Sequence, residues 1–93
     1  MRLDLFLKAS RLSPRRSTAQ QLCDAGLVTV NGGTAKSAHP VRMGDEILIR
    51  RRDRLTKVRV LSVPKTHNVA RKDASSLYEL LTNGIEAAQT GLK

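Results

Sequence analysis

Arg2-Leu3-Asp4-Leu5-Phe6-Leu7-Lys8-Ala9-Ser10-Arg11-Leu12, then Arg15-Arg16-Ser17-Thr18-Ala19-Gln20-Gln21-Leu22, then Gly26-Leu27-Val28-Thr29-Val30-Asn31-Gly32 with Lys36 beyond it, is the stretch that decides the fold. Leu3, Phe6 and Leu7 fall at i, i+3 and i+4, a spacing that predicts a helix from about Leu3 to Ser10 with one apolar stripe. Asp4 precedes Lys8 by one helical turn, acid before base, which is the favourable order for a side-chain pair. Leu5 lies off the stripe, so packing against the sheet, packing against the C-terminal segment and exposure all stay open. A second helix is expected to begin with Ser13 as N-cap and Pro14 in the first helical position. Its buried stripe is Ala19, Leu22 and Cys23, and Gly26 closes it where a left-handed residue is usually needed. After Gly26 the period changes from helical to alternating. Val28 and Val30 point one way and Thr29 the other, and Asn31-Gly32 is the preferred two-residue signal for a type I′ hairpin. The second glycine, Gly33, leaves the register of that turn open.

Further on, Ser37 to Pro40 reads as a loop with His39 exposed, and Met43-Gly44-Asp45 as a turn. A strand is expected from Glu46 to Arg50, with Ile47 and Ile49 on one face and Leu48 on the other. A second, from Lys57 to Val63, turns Val58 and Val60 inward and pairs antiparallel with the first. Between them Arg50-Arg51-Arg52-Asp53-Arg54 is the densest charge run in the chain. It reads equally as a solvated loop or as a second phosphate contact. Pro64 to Ala74 reads as a basic linker. Ser75-Ser76 then offers an N-cap, Leu77, Leu80 and Leu81 a stripe and Asn83-Gly84 a stop, which predicts a short C-terminal helix, with a frayed end from Ile85 to Lys93.

The charge balance narrows the function. Seventeen Lys and Arg face eight Asp and Glu, for a net charge of +9 in 93 residues. Such a small, basic domain is attracted to polyanions, nucleic acid first among them. Arg outnumbers Lys, and its planar fork suits phosphate. One Phe, one Tyr and no Trp make the core aliphatic, and they exclude an aromatic platform for stacking bases. No run approaches the length of a membrane span, and no broad amphipathic face suggests a membrane surface. The chain starts on a charged helical pattern rather than a signal-peptide apolar region, so a cytoplasmic setting is expected.

Arg15 and Arg16 stand at the start of the second helix, where the partial positive charge of the helix end disfavours cations by about 0.3–1 kcal/mol each. That placement reads either as a tolerated solvated surface or as a phosphate site. Lys36 reads equally as a loop lysine or as a nucleic-acid contact. Catalytic patterns are missing: there is no Gly-rich phosphate loop, no nucleophile elbow and no carboxylate dyad. Cys23 is alone and on an apolar stripe, which makes it a structural thiol and leaves no disulfide or Cys-based metal site. These features argue for a binding module that is not an enzyme, without cofactor or metal.

In order and spacing, Arg2-Leu3-Asp4-x-Phe6-Leu7, Ser10-Arg11-Leu12, Arg16-Ser17-x-Ala19-x-x-Leu22, Gly26-x-Val28-x-Val30-Asn31-Gly32, Lys36 and Val41-x-x-Gly44-Asp45-x-Ile47 resemble the S-four RNA-binding domain. The match covers about residues 1–63, followed by a segment 64–93 of linker, short helix and tail. With Leu77-Tyr78-x-Leu80-Leu81 included, the chain resembles the short standalone branch of that family, the RqcP branch of bacterial ribosome-associated quality control. Pro14, Gly33 and the 50–54 run lie outside the motif.

The resemblance implies an α+β fold: two N-terminal helices packed on a small antiparallel β-sheet of three to five strands, with a short C-terminal helix. It implies that Arg2, Lys8, Arg11, Arg15, Arg16 and Lys36 face RNA, Arg2 and Arg16 foremost. Leu3, Phe6, Leu7, Leu22, Val28 and Val30 are then core. The partners it implies are large-subunit ribosomal RNA, peptidyl-site tRNA and an RqcH-like factor that directs C-terminal alanine tailing of stalled chains, with this chain a monomer. Three rivals remain: a heat-shock-type rescue or assembly factor on the large subunit, an RNA-binding subunit for a separate RNA-modifying enzyme, and a protein-interaction module whose charge serves solubility.

Overall fold

The computed structural model describes residues 1–51, 54–65, 69 and 71–85. Helix α1 spans Leu3–Ala9 and α2 spans Arg16–Asp24. Strands β1 (Val28–Val30), β2 (Gly33–Thr34), β3 (Glu46–Arg51) and β4 (Arg54–Val60) follow. A helical turn α3 (Arg71–Ala74) continues into a 3-10 turn (Ser75–Leu77), and β5 (Tyr78–Ile85) ends the described chain. The five strands form one antiparallel sheet in the order β2-β1-β3-β4-β5.

The core follows from the apolar periods. Leu3, Phe6 and Leu7 of α1 and Ala19 and Cys23 of α2 are buried in one cluster with Val28, Ile47, Ile49, Val58 and Val60 from the inner sheet face. Leu22 packs against its edge half-buried. The expected aliphatic core with a single Phe is the one observed, and Phe6 is fully enclosed.

Both turn signals in the first half are realised. Gly26 takes φ +75, its N–H reaches the Cys23 carbonyl, and the Leu27 N–H reaches back to Leu22. This paired closure of the last helical carbonyls is a Schellman end. Asn31 (φ +53) and Gly32 (φ +87) occupy the two central positions of the hairpin. Val30 pairs with Gly33, so Gly33 is the first residue of β2 and the register is that of a two-residue type I′ turn. Asn31 also accepts from the Glu46 N–H and donates to Asp45, which ties the hairpin tip to the turn before β3.

The entry to α2 differs from expectation. Arg15, not Ser13, is the N-cap, in extended conformation (φ −139, ψ 151), and no side chain caps the helix. Ser13 is buried and used within the inter-helix turn: its N–H donates to the Leu7 carbonyl and its hydroxyl to the Arg15 carbonyl. Arg11 at φ +66 reverses the chain there. The turn consumes the residues that the capping pattern assigned to a helix start.

The C-terminal part holds the larger correction. No helix runs through Leu77, Leu80 and Leu81. The helical residues lie earlier, at Arg71–Leu77 within the expected linker and its end, and Tyr78–Ile85 is a strand on β4. Without it β4 would be a sheet edge with a row of unpaired backbone groups. Thr82 pairs with Lys57 and Leu80 with Val58, so Leu81 is an extra residue in a bulge. That bulge breaks the alternation of a strand and leaves three leucines at helix-like spacing. Asn83 and Gly84, read as a helix stop, sit in the ladder opposite Thr56 and Leu55. The expected fray falls, from residue 86 on, outside the described residues, as do Arg52 and Asp53 of the charge run.

Candidate nucleic-acid interface

The N-terminal end of α1 is built on a buried carboxylate. Asp4 has no exposed surface, yet it accepts four hydrogen bonds: from Leu5 N–H (2.8 Å), Gln20 Nε2 (2.9 Å), Arg16 Nε (3.1 Å) and Arg2 Nε (3.2 Å). It pairs with the two arginines rather than with Lys8, as the helical spacing suggested. Burial by itself pushes the Asp4 carboxyl up. Hydrogen bonds from Gln20 and Arg16, the charge of Arg2 and the Leu5 N–H outweigh it, and the pKa lies below the ordinary carboxylate value. Asp4 is therefore an anion at neutral pH.

Arg2 and Arg16 contrast with it. Their side chains are 44% and 45% exposed. Each reaches Asp4 through Nε, and among the described residues neither Nη edge has a protein partner. The carboxylate thus fixes two guanidinium planes from one side and leaves their forked edges to solvent, the geometry that grips phosphate. One anion beneath two cations keeps a net positive charge. The cost of placing Arg16 at the positive end of α2 is offset by the Asp4 bond.

The loop after β2 completes this end. The Leu3 N–H donates to the His39 carbonyl (2.8 Å) and the Asp4 N–H to that of Ser37 (3.1 Å), capping α1 with backbone. Lys36, exposed, directly precedes Ser37, and Arg15, exposed, directly precedes Arg16. Lys8 lies one turn along α1, half-buried. Arg11 is set apart: it stands beyond the far end of α1, beside Arg51 and Arg54. The structure therefore brings Arg2 and Arg16 together on Asp4, while Arg11 lines a pocket with Arg51 and Arg54 instead. Helical spacing assigns Asp4 to Lys8 and gives Gln20 no role, so it misses the part these two play in holding the arginines. The available signal was an acid two residues after an arginine in an otherwise basic stretch.

The outer face of the sheet is basic in sequence but neutralised in place. Glu46 meets Lys57 (3.3 Å) and Arg59 (3.3 Å), and Arg59 also meets Glu79 (3.1 Å). Hydrogen bonds from Lys57 and then Arg59 hold the Glu46 carboxyl below its usual range. Lys57 and Arg59 are thus paired with Glu46 and Glu79, and these two cations offer phosphate far less than Arg2 and Arg16 do.

Cys23 is buried, and burial, followed by the charges of Asp4 and Asp24, pushes its thiol up to about 11. It stays protonated and is no nucleophile at neutral pH. Iodoacetamide at pH 8 is expected to leave Cys23 unmodified in the folded protein and to alkylate it once denaturant is added; mass spectrometry reads both states. Among the described residues no helix is long and apolar enough to cross a membrane.

Comparison with known proteins agrees with this architecture. The model of the S4 domain matches residues 1–47, which include both helices, the first hairpin and every residue of the Asp4 cluster. The chain belongs to the S4 domain family. It is 46% identical over 80 residues to a protein of Halalkalibacterium halodurans named RQC P-site tRNA stabilizing factor, covering 86% of this chain and 89% of that one. A Bacillus subtilis protein of the same name is 38% identical over 81 residues, covering 87% and 92%. Among solved structures, heat shock protein 15 of Vibrio cholerae, described as trimeric, superposes with a TM-score of 0.78 at 27% identity, over 87% of this chain and 81% of that one. The similarity in each case extends past the S4 match into the second half of the chain.

Proposed function

We propose that this S4 protein is a non-catalytic RNA-binding factor of the bacterial cytoplasm. It binds large-subunit ribosomal RNA and peptidyl-site tRNA on split, stalled ribosomes, and it steadies that tRNA while an RqcH-like factor extends the stalled chain with alanine. The observation that carries the reading is the pair of guanidinium groups, Arg2 and Arg16, fixed by one buried carboxylate with their forks outward. Arg15 and Lys36 add charge at the same end, Lys8 follows one turn along α1, and Arg11 adds a separate cation beyond the far end of that helix. Such a rigid basic face recognises the phosphates and shape of structured RNA without stacking on aromatic side chains. The names of the relatives support tRNA in the peptidyl site as the cargo.

Likeness to heat shock protein 15 favours a second reading, rescue or assembly on the large subunit without dependence on alanine tailing. Co-sedimentation with purified large subunits separates the two. Subunits carrying peptidyl-tRNA are expected to retain the protein at least tenfold more tightly than empty subunits. Equal retention on both supports a general ribosomal-RNA role instead, and retention on neither removes the RNA reading.

A further inference from the structure

A second basic site lies away from the Asp4 cluster. A pocket of about 210 Å³ opens between the α1–α2 turn and the hairpin end of β3 and β4, lined by Arg11, Leu12, Ile49, Arg51, Arg54 and Thr56. Among the described residues that line it, three of six are arginines and none is acidic. Arg51 and Arg54 are direct cross-strand partners, and like charges placed opposite each other destabilise a sheet. Arg11 reaches the pocket from a left-handed backbone, φ +66, a conformation that disfavours any residue with a Cβ. The Arg51 guanidinium donates to the Leu12 carbonyl and pins the hairpin end to the inter-helix turn. So repulsion and backbone strain converge on a small, tethered cavity, the signature of a site completed by an anion.

Its remaining walls decide which anion. Leu12 is apolar and half-buried, and Ile49, at 1% exposure, closes the floor beneath it. A bare inorganic anion uses only the rim. The volume is below the ~300 Å³ at which pockets for whole drug-sized ligands begin, so a complete dinucleotide does not fit inside. A phosphate on the rim with one ribose or base edge on the apolar floor does.

We propose that this pocket is a nucleotide subsite for an RNA strand: Arg11 and Arg54 hold one phosphodiester, and Leu12, seated over Ile49, receives the adjoining sugar or base edge. The subsite rests on the RNA-binding reading and deepens it, because it adds a local, single-nucleotide contact to the rigid phosphate grip of Arg2 and Arg16. A free nucleotide presents the same chemistry, and the test separates the two sources.

The full chain, labelled for NMR, is titrated with a single-stranded RNA tetranucleotide, with adenosine monophosphate and with inorganic phosphate. The tetranucleotide is expected to shift the Nε–H signals of Arg11 and Arg54 together with the Leu12 and Ile49 methyls, at concentrations at least tenfold below those needed with adenosine monophosphate. Phosphate is expected to move the arginines alone. Unmoved methyls with the tetranucleotide overturn the subsite. Equal binding of adenosine monophosphate overturns its assignment to an RNA strand. On tRNA-loaded large subunits, Arg54→Gln is expected to weaken binding about tenfold with an unchanged thermal midpoint. If Arg16→Gln weakens binding and Arg54→Gln does not, the subsite is wrong and the RNA reading stands. If neither does, the RNA reading itself has failed.

Discussion

Asp4→Ala is expected to lower the thermal midpoint by about 10–20 °C, the largest effect of any single substitution outside the apolar core. Four donors converge on that carboxylate. Removing it strands the Gln20 amide and the Leu5 N–H and leaves two arginines side by side, a loss of about 2–3 kcal/mol, and each kcal/mol corresponds to about 4–8 °C in a domain of this size. The arginines are half-exposed and stay solvated, so the loss stops short of that for a fully buried broken pair. The same residue sets an acid limit. The folded pKa of Asp4 lies below its unfolded value, with burial opposing and the Gln20, Arg16, Arg2 and Leu5 interactions prevailing. Its stabilisation is therefore fully present above the unfolded pKa of about 3.9 and is lost as pH falls through the lower folded value. Circular-dichroism melts from pH 7 down to pH 2 are expected to show a decline below about pH 4 that is shallower in Asp4→Asn. Melts of Asp4→Ala within 3 °C of wild type, or an unchanged acid profile in Asp4→Asn, contradict the role given to this carboxylate.

The second large effect is on binding. Arg2→Gln/Arg16→Gln removes both forks and is expected to weaken binding to tRNA-loaded large subunits by a hundredfold or more, since a charge-assisted hydrogen bond contributes about 1.5–3 kcal/mol. It also changes the salt response. Each phosphate neutralised contributes about 0.7–0.9 to the slope of log affinity against log salt concentration, so the double variant is expected to lose about 1.4–1.8 units of slope. Affinities measured between 50 and 300 mM KCl give both quantities. A lowered affinity with an unaltered slope points to a structural defect, and Gln at both positions keeps hydrogen-bonding side chains on Asp4 to limit that outcome.

Much of the fold is legible in the sequence because local signals and tertiary demands agree. Leu3, Phe6 and Leu7 have nowhere to go but inward, Gly26 and Asn31-Gly32 require positive φ where the chain reverses, and Ile47, Ile49, Val58 and Val60 alternate as the sheet does. The failures have a common cause. Ser13 is a good cap in isolation, but a buried inter-helix turn needed its hydroxyl and its N–H. Leu77, Leu80 and Leu81 imitate a helix only because a bulge displaces one of them, and the demand of β4 for a partner is invisible locally. At the site, charge and motif picked out the arginines. They could not show that Asp4 turns from its helical neighbour Lys8 to a residue twelve positions away, nor that Arg11 would join the end of the β3–β4 hairpin. Both are contacts between elements, which spacing within one element does not encode.

The measurement that bears most directly on this account compares two charge-matched variants on large subunits carrying peptidyl-tRNA. Arg2→Gln/Arg16→Gln alters the face held by Asp4, and Lys57→Gln/Arg59→Gln alters the sheet face already neutralised by Glu46 and Glu79. Each lowers the net charge by the same amount. The account predicts a loss of a hundredfold or more for the first and less than about threefold for the second. Equal losses would show that net charge alone drives binding and would contradict the assignment of RNA recognition to the helix face.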